Sequence, residues 1–326
     1  MSNLPQSEEP FHCESLPDLP TAFSALQCVK LHDEILICGG TKKGDCYSYH
    51  LEKKEYKKIC CYPKAEALIV HTVVAIETNE TADTVTLLSF GGHGTMKISY
   101  HTLKMDYQSV WKDQGKHENK WVALPKNITF GEKQSHVLRG ARALVGGASQ
   151  NLLFITRYPK MIDVIDLQSY EYLTNVKNNV LPVADGKFVC YHAFVSVGPN
   201  QFIVVCQNET IWMEFDERKT EFVFASLPPC PELTSYVEYS YACFGSKLFI
   251  LGGFRLDERR DVNSIFVYHI TTKQWFSCPL TTPFPVSSTA AVAAVHQLHP
   301  FIHVFGGSST ADEQLSMHLL FALQKQ

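Results

Sequence analysis

Six apolar runs recur along this chain of 326 residues, and four of them close on two adjacent glycines. EILICGG ends at Gly39 and Gly40, TLLSFGG at Gly91 and Gly92, KLFILGG at Gly252 and Gly253, and FIHVFGG at Gly306 and Gly307. NLLFITR (151–157) and QFIVVCQ (201–207) share the apolar character but carry Thr156-Arg157 and Cys206-Gln207 at the glycine positions. The spacing is roughly 50 residues, a period at which each repeat is one supersecondary unit that must stack on its neighbours to bury its faces. Whatever fold the chain adopts, it contains six similar pieces.

A second pattern has fixed internal spacing. YHLEKKEY (49–56), IDLQSYEY (165–172), FDERKTEF (215–222) and YHITTKQW (268–275) superpose without a gap. Each opens with a large apolar residue followed by Asp or His, passes through a polar turn, and ends on an aromatic. This reads as a strand, a tight hairpin and a return strand led by a packing ring. In that reading His50 and His269 are structural partners of the turn, as Asp166 and Asp216 are. The second copy stretches its turn around residues 113–119 before Trp121. Gly146 and Gly147 read as a separate hairpin, where glycine supplies positive φ at little steric cost.

Upstream of the apolar runs lie further short runs: HTVVAI from His71, ARALV from Ala141, YHAFVSV from Tyr191, YACF from Tyr241 and TAAVAAV from Thr289. Four short strands per unit with no helical period between them make an antiparallel blade, and radial repetition of blades makes a propeller. The expected fold is all-β, six-bladed, with four antiparallel strands per blade. Expected blades span 21–62, 63–125, 126–177, 178–228, 229–279 and 280–326 with 9–20, and residues 1–8 are expected to be flexible. The sixth unit stops after LSMHLLFAL (315–323), while FHCESLPDLP (11–20) resembles the return strands KWVALP and EFVFASLPPCP. The N-terminal segment is therefore expected to complete the last blade and close the ring, leaving no open sheet edge.

Bulk properties exclude several roles. A net charge of −4 argues against nucleic acid and anionic membranes. The lysine-rich stretch 52–58 falls on a hairpin and outer strand, so it reads as a solvated face. No apolar run approaches the ~20 residues that span a bilayer. The eleven cysteines sit mostly inside apolar runs, with no zinc spacing and no secretory leader, so they are expected to be reduced thiols in a cytoplasmic protein. No metal and no cofactor are expected. A phosphate loop, a nucleophile elbow and HExxH are all missing from the sequence.

The apolar strand ending in Gly-Gly, the Tyr-Asp-type strand and the Trp of the return strand, as in KLFILGG and VYHITTKQW, resemble the kelch family over almost the whole chain from about Phe11. Trp121 and Trp275 hold the family's tryptophan position. The resemblance implies a face formed by the strand 2–3 loops and the links between blades. From the loops that face would carry Lys42, Lys43, His93, Lys97, Arg157, Tyr158 and the loop with Arg255, Arg259 and Arg260. From the links it would carry His71, Arg142, Tyr191, His192, Tyr239 and Tyr241. Arg and Tyr concentrate binding energy because they bury large area and still hydrogen-bond. The expected function is non-catalytic binding of a protein or peptide by a monomer. The alternative is a small-molecule or carbohydrate-acting enzyme using the central channel mouth.

Overall fold

The computed structural model describes residues 4–6, 12–63, 68–79, 84–93, 101–112, 117–131, 137–309 and 313–323. Those residues form two compact units, one built from 1–59 and 228–326 and the other from 60–227. Among the described residues, every regular element apart from two short 3-10 turns is a strand.

The chain opens with β1 (His12–Ser15). The first sheet follows as β2 (Gln27–Leu31), β3 (Glu34–Gly40), β4 (Lys43–His50) and β5 (Glu55–Cys61), hydrogen-bonded in that order. The second is β6 (Ile69–Asn79), β7 (Thr84–His93), β8 (Thr102–Gln108) and β9 (Val122–Ala123). The third is β10 (Arg142–Gly146), β11 (Leu152–Arg157), β12 (Met161–Asp166) and the two-residue β13 (Glu171–Tyr172). The fourth is β14 (Ala193–Gly198), β15 (Gln201–Cys206), β16 (Glu209–Asp216) and β17 (Glu221–Leu227).

Further along come β18 (Tyr236–Val237), β19 (Ser240–Phe244), β20 (Lys247–Leu251), β21 (Phe254–Arg255), β22 (Arg260–Asp261), β23 (Ile265–His269) and β24 (Gln274–Ser277). The fifth sheet runs β19-β20-β23-β24, and β18-β21-β22 form a small separate sheet that the repeat pattern does not announce. Last are β25 (Ala290–His296), β26 (His299–Phe305) and β27 (His318–Ala322). Their sheet takes β1 as its fourth strand, antiparallel to β27 with His12 opposite Ala322 and Ser15 opposite Leu319.

The continuous apolar runs follow from burial on both faces. On β11, Leu152 and Phe154 pack toward the fourth sheet with Phe202, Val204, Met213 and Phe215. The alternate residues Leu153 and Ile155 pack toward the second sheet with Leu88 and Phe90. On β26, Ile302 and Val304 meet Phe249 and Leu251 of the fifth sheet, while Phe301 and Phe305 meet Ile35, Ile37 and Tyr49 of the first. A period of two on a strand sandwiched between neighbours gives a run with no polar face. Within one unit β6 lies against β10 and β10 against β14; within the other β19 lies against β25 and β25 against β2.

The four eight-residue segments fold alike. Their first and last members face each other, as in Ile165 opposite Tyr172, Phe215 opposite Phe222 and Tyr268 opposite Trp275. The sixth residue is left-handed in every copy: Lys54 (φ 54), Tyr170 (φ 60), Thr220 (φ 53) and Lys273 (φ 56). Its amide closes the turn where Lys54 N–H donates to His50 O at 2.9 Å and Tyr170 N–H donates to Asp166 O at 2.7 Å. Asp216 Oδ1 accepts from Arg218 and Lys219 N–H at 3.0 and 3.1 Å, and the Lys219 amide bond is the main reason its carboxyl sits below the usual range. His50 Nδ1 takes the corresponding role at 3.5 Å from Lys53 N–H, which is why Asp and His alternate there.

Candidate functional site

Just ahead of, or at the start of, the first strand of five sheets the chain turns left-handed at non-glycine residues: Ala25 (φ 50), Val70 (φ 53), Tyr191 (φ 52), Glu238 (φ 55) and Ser288 (φ 53). That conformation costs a side-chain-bearing residue about 1–2 kcal/mol, and a recurrent hydrogen bond offsets it. In one unit Ser288 N–H donates to Glu238 O and Ala25 N–H to Ser288 O, both at 2.8 Å; in the other Tyr191 N–H donates to Gly140 O at 3.0 Å. The links at residues 25, 191, 238 and 288 are thereby tied to the link of a neighbouring sheet.

In the unit of residues 60–227, the link Phe188–His192 mixes exposed, half-buried and buried residues. Phe188 is 43% exposed and packs on Tyr158, itself 41% exposed, with ring centroids 5.6 Å apart. Val189 is buried and its N–H donates to Pro159 O at 2.7 Å. Tyr191 is half-buried, and its hydroxyl accepts from Nε of exposed Arg139 at 2.9 Å. Arg142 Nε donates to His192 O at 3.1 Å. A strand 2–3 loop, the one carrying Tyr158, thus shares a surface with a link.

His192 itself points inward. Its Nε2 lies 2.6 Å from Thr156 Oγ1, and the Thr156 hydroxyl donates to Arg142 O, so the network assigns the ring proton to Nε2. Nδ1 is then the buried atom without a partner. Burial, then the nearby Arg142 charge, hold this imidazole neutral well below its ordinary range. His71 is also buried, donating Nδ1–H to Leu68 O at 2.9 Å. Arg157 is buried and binds both carboxylate oxygens of Asp163, at 2.5 and 3.0 Å.

In the unit containing residues 228–326, Tyr239 is buried and Tyr241 half-buried. β21, β22 and the loop between them carry Arg255, Arg259 and Arg260 to the surface. Arg255 binds Asp257 at 2.8 Å and Glu258 at 2.6 Å, and its guanidinium lies 5.7 Å from the Tyr236 ring centre. Its hydrogen bond holds the Asp257 carboxyl below the carboxylate range. Again a strand 2–3 loop meets a link, since Arg255 stands opposite Tyr236. A cavity of about 710 Å³ opens beside them, reaching Phe266 and Cys278.

Of the residues expected on the face, Tyr158, Arg142, Tyr191, Tyr241, Arg255, Arg259 and Arg260 reach solvent, whereas His71, Arg157, His192 and Tyr239 are interior. Lys97 lies outside the described residues. Sequence reasoning passed over Arg139, Phe188 and Tyr236, which belong to links without any periodic signal. One pair has the form of a nucleophile and base: Ser89 Oγ lies 2.9 Å from His101 Nε2. Both are buried, Tyr62 donates to the same Ser89 oxygen at 2.9 Å, and burial drives the His101 imidazole down to about 3. All three side chains are buried and hydrogen-bonded to one another. Among the described residues no group of three or more His, Cys, Asp or Glu is placed to hold a metal ion, and no helix is long and apolar enough to cross a membrane.

Residues 236–279, from the start of β18 to just past β24, match the kelch motif. The chain carries a kelch repeat. That span contains the KLFILGG strand, the YHITTKQW hairpin and most of the cavity wall. The fold likeness extends further: the structure of YjhT superposes with a TM-score of 0.66, covering 95% of this chain and 99% of that one at 12% sequence identity. At that identity the likeness concerns the fold alone. No curated protein matches the chain in sequence.

Proposed function

We propose that the six four-stranded sheets are the six blades of one kelch-type propeller, closed where β1 joins β27. The chain then acts as a non-catalytic module that binds a protein or peptide on its strand 2–3 loops and links. The ring reading is supported by the link hydrogen bond, which passes from Glu238 to Ser288 and on to Ala25, making the last and first sheets neighbours. None of the eleven cysteines forms a disulfide, which suits a reducing compartment such as the cytoplasm.

The observation that carries the binding reading is the exposed ring pair Tyr158 and Phe188, one turn of chain from Tyr191 with its Arg139 clasp. Aromatic and arginine side chains on a rigid support bind with small ordering cost. The reading needs no cofactor. Affinity capture from native lysate should return specific protein partners for the wild type and lose them for Arg139→Ala with Tyr158→Ala and Phe188→Ala, once both proteins are shown to melt alike. An unchanged set of partners would reject this face.

A further inference from the structure

The kelch repeat ends at an unusual sheet edge. β24 is the outermost strand of the fifth sheet, paired with β23 on one side. On its other side Ser277 N–H donates to Pro5 O at 2.9 Å, and Gln6 makes a parallel bridge with Ser277. Two residues of the chain's own N-terminal region thus stand where an added strand would stand. Gln6 also lines the 710 Å³ cavity, together with Tyr236, Phe266, Glu232, Asp257 and Arg255.

The cavity has the chemistry of a side-chain pocket. Tyr236 and Phe266 are 5% and 4% exposed and supply an apolar aromatic wall. Two carboxylates, Glu232 and Asp257, and one guanidinium, Arg255, line the cavity, and that guanidinium is already held by Asp257 and by Glu258. The balance of charge is negative, and a guanidinium already rests over the Tyr236 ring. An incoming cation would find carboxylate acceptors and an aromatic wall in one place, the combination that favours charge-assisted hydrogen bonds and cation–π contact. An edge strand supplies main-chain hydrogen bonds to any extended segment, while an adjacent pocket selects its side chain.

We propose that the β24 edge and this cavity form a peptide-binding site for an extended segment that adds a strand to β24 and places a lysine or arginine side chain in the cavity. Residues 5 and 6 are the competing occupant in the free protein. This site uses residues different from those of the Tyr158–Phe188 surface and stands or falls independently of it.

The test uses the full chain and two fluorescein-labelled, acetylated pentapeptides, Thr-Val-Arg-Val-Thr and Thr-Val-Glu-Val-Thr, read by fluorescence anisotropy and by amide exchange at Ser277. The arginine probe binds and slows Ser277 exchange, and the glutamate probe binds at least about tenfold more weakly. Gln6→Glu sets a third carboxylate against Glu232 and Asp257, so the free variant exchanges faster at Ser277 and takes the arginine probe about fivefold more tightly. Glu232→Gln, a change at a partly exposed position that should leave melting unaltered, weakens the arginine probe about tenfold. Equal binding of the two probes, Ser277 exchange unmoved by saturating arginine probe, or no binding to the Gln6→Glu variant would each overturn the proposal.

Discussion

At the end of its second strand the fifth sheet carries Gly252 and Gly253, and at the same place the third sheet carries Thr156 and Arg157. In the fifth, backbone approaches backbone: a Cβ on Gly252 would sit 2.5 Å from Val286 O, and Gly253 N–H donates to that same carbonyl at 2.9 Å. Gly306 does the same toward Phe23, with 2.6 Å left for a Cβ. In the third sheet side chains fill the interval instead, with Thr156 on His192 and the Arg157–Asp163 pair buried behind it. The diglycine is therefore one of two ways to seat a sheet on the link of its neighbour. Its replacement exchanges close backbone contact for a buried polar network, in which losing either member of the Arg157–Asp163 pair leaves the other uncompensated.

The largest effect expected separates these two solutions directly. Arg157→Ala strands the Asp163 carboxylate in the interior and should cost about 3–5 kcal/mol, measured by denaturant unfolding. A loss under about 1 kcal/mol would mean that water reaches Asp163 and that the network is not the counterpart of the diglycine.

Next in size is Gly252→Ala. It combines a left-handed φ of 60 with the Val286 clash, and a cost of about 2–4 kcal/mol follows from adding strain to overpacking. Alanine tolerated at Gly252 would show that the fifth sheet has room to shift and that the close approach is incidental.

The polar solution should be sensitive to acid as well. Burial depresses the His192 imidazole, so the unfolded chain takes up a proton below about pH 6.5 that the folded state refuses, and stability is lost as pH falls from there. One such group contributes at most about 1.4 kcal/mol per pH unit. His192→Asn should therefore flatten the stability profile between pH 6.5 and 5, whatever its effect at pH 7. His303 and His318, held by burial at about 3 and about 2, add the same sign of slope from the diglycine-bearing last sheet. A profile left unchanged by His192→Asn would place the acid sensitivity there instead.

The smallest effect concerns what the two regions share. Thr220 is a β-branched residue at the left-handed turn position, so Thr220→Gly in the fourth sheet should stabilise by about 0.5–1 kcal/mol. Lys273→Gly in the fifth should gain about half as much, because an unbranched side chain is less strained there. Equal gains would indicate that backbone conformation alone, independent of the side chain, sets the strain.

The hairpins were legible in the sequence because everything that makes them lies within eight residues. A large apolar residue, an Asp or His acceptor, a turn and a ring bring their own hydrogen bonds with them. The surface was less legible. His71, His192, Arg157 and Tyr239 belong to the segments expected to face a partner, yet each is interior, because a single residue's step along a strand or a link reverses its direction. Phe188 and Arg139 carried no signal, since links have no period for a pattern to reveal. The small sheet of β18, β21 and β22 was equally silent, each strand being two residues long.

By itself, then, the sequence determined the all-β class, the repeat, the hairpin turns and the strand faces, all set by local hydrogen bonds or by the period of two. The tertiary structure alone decided which link side chains reach solvent, how Thr156 and Arg157 substitute for glycines, and that Pro5 and Gln6 lie against β24. Those outcomes depend on contacts between residues far apart in the chain, and no spacing within a repeat encodes the distance from Ser277 to Pro5.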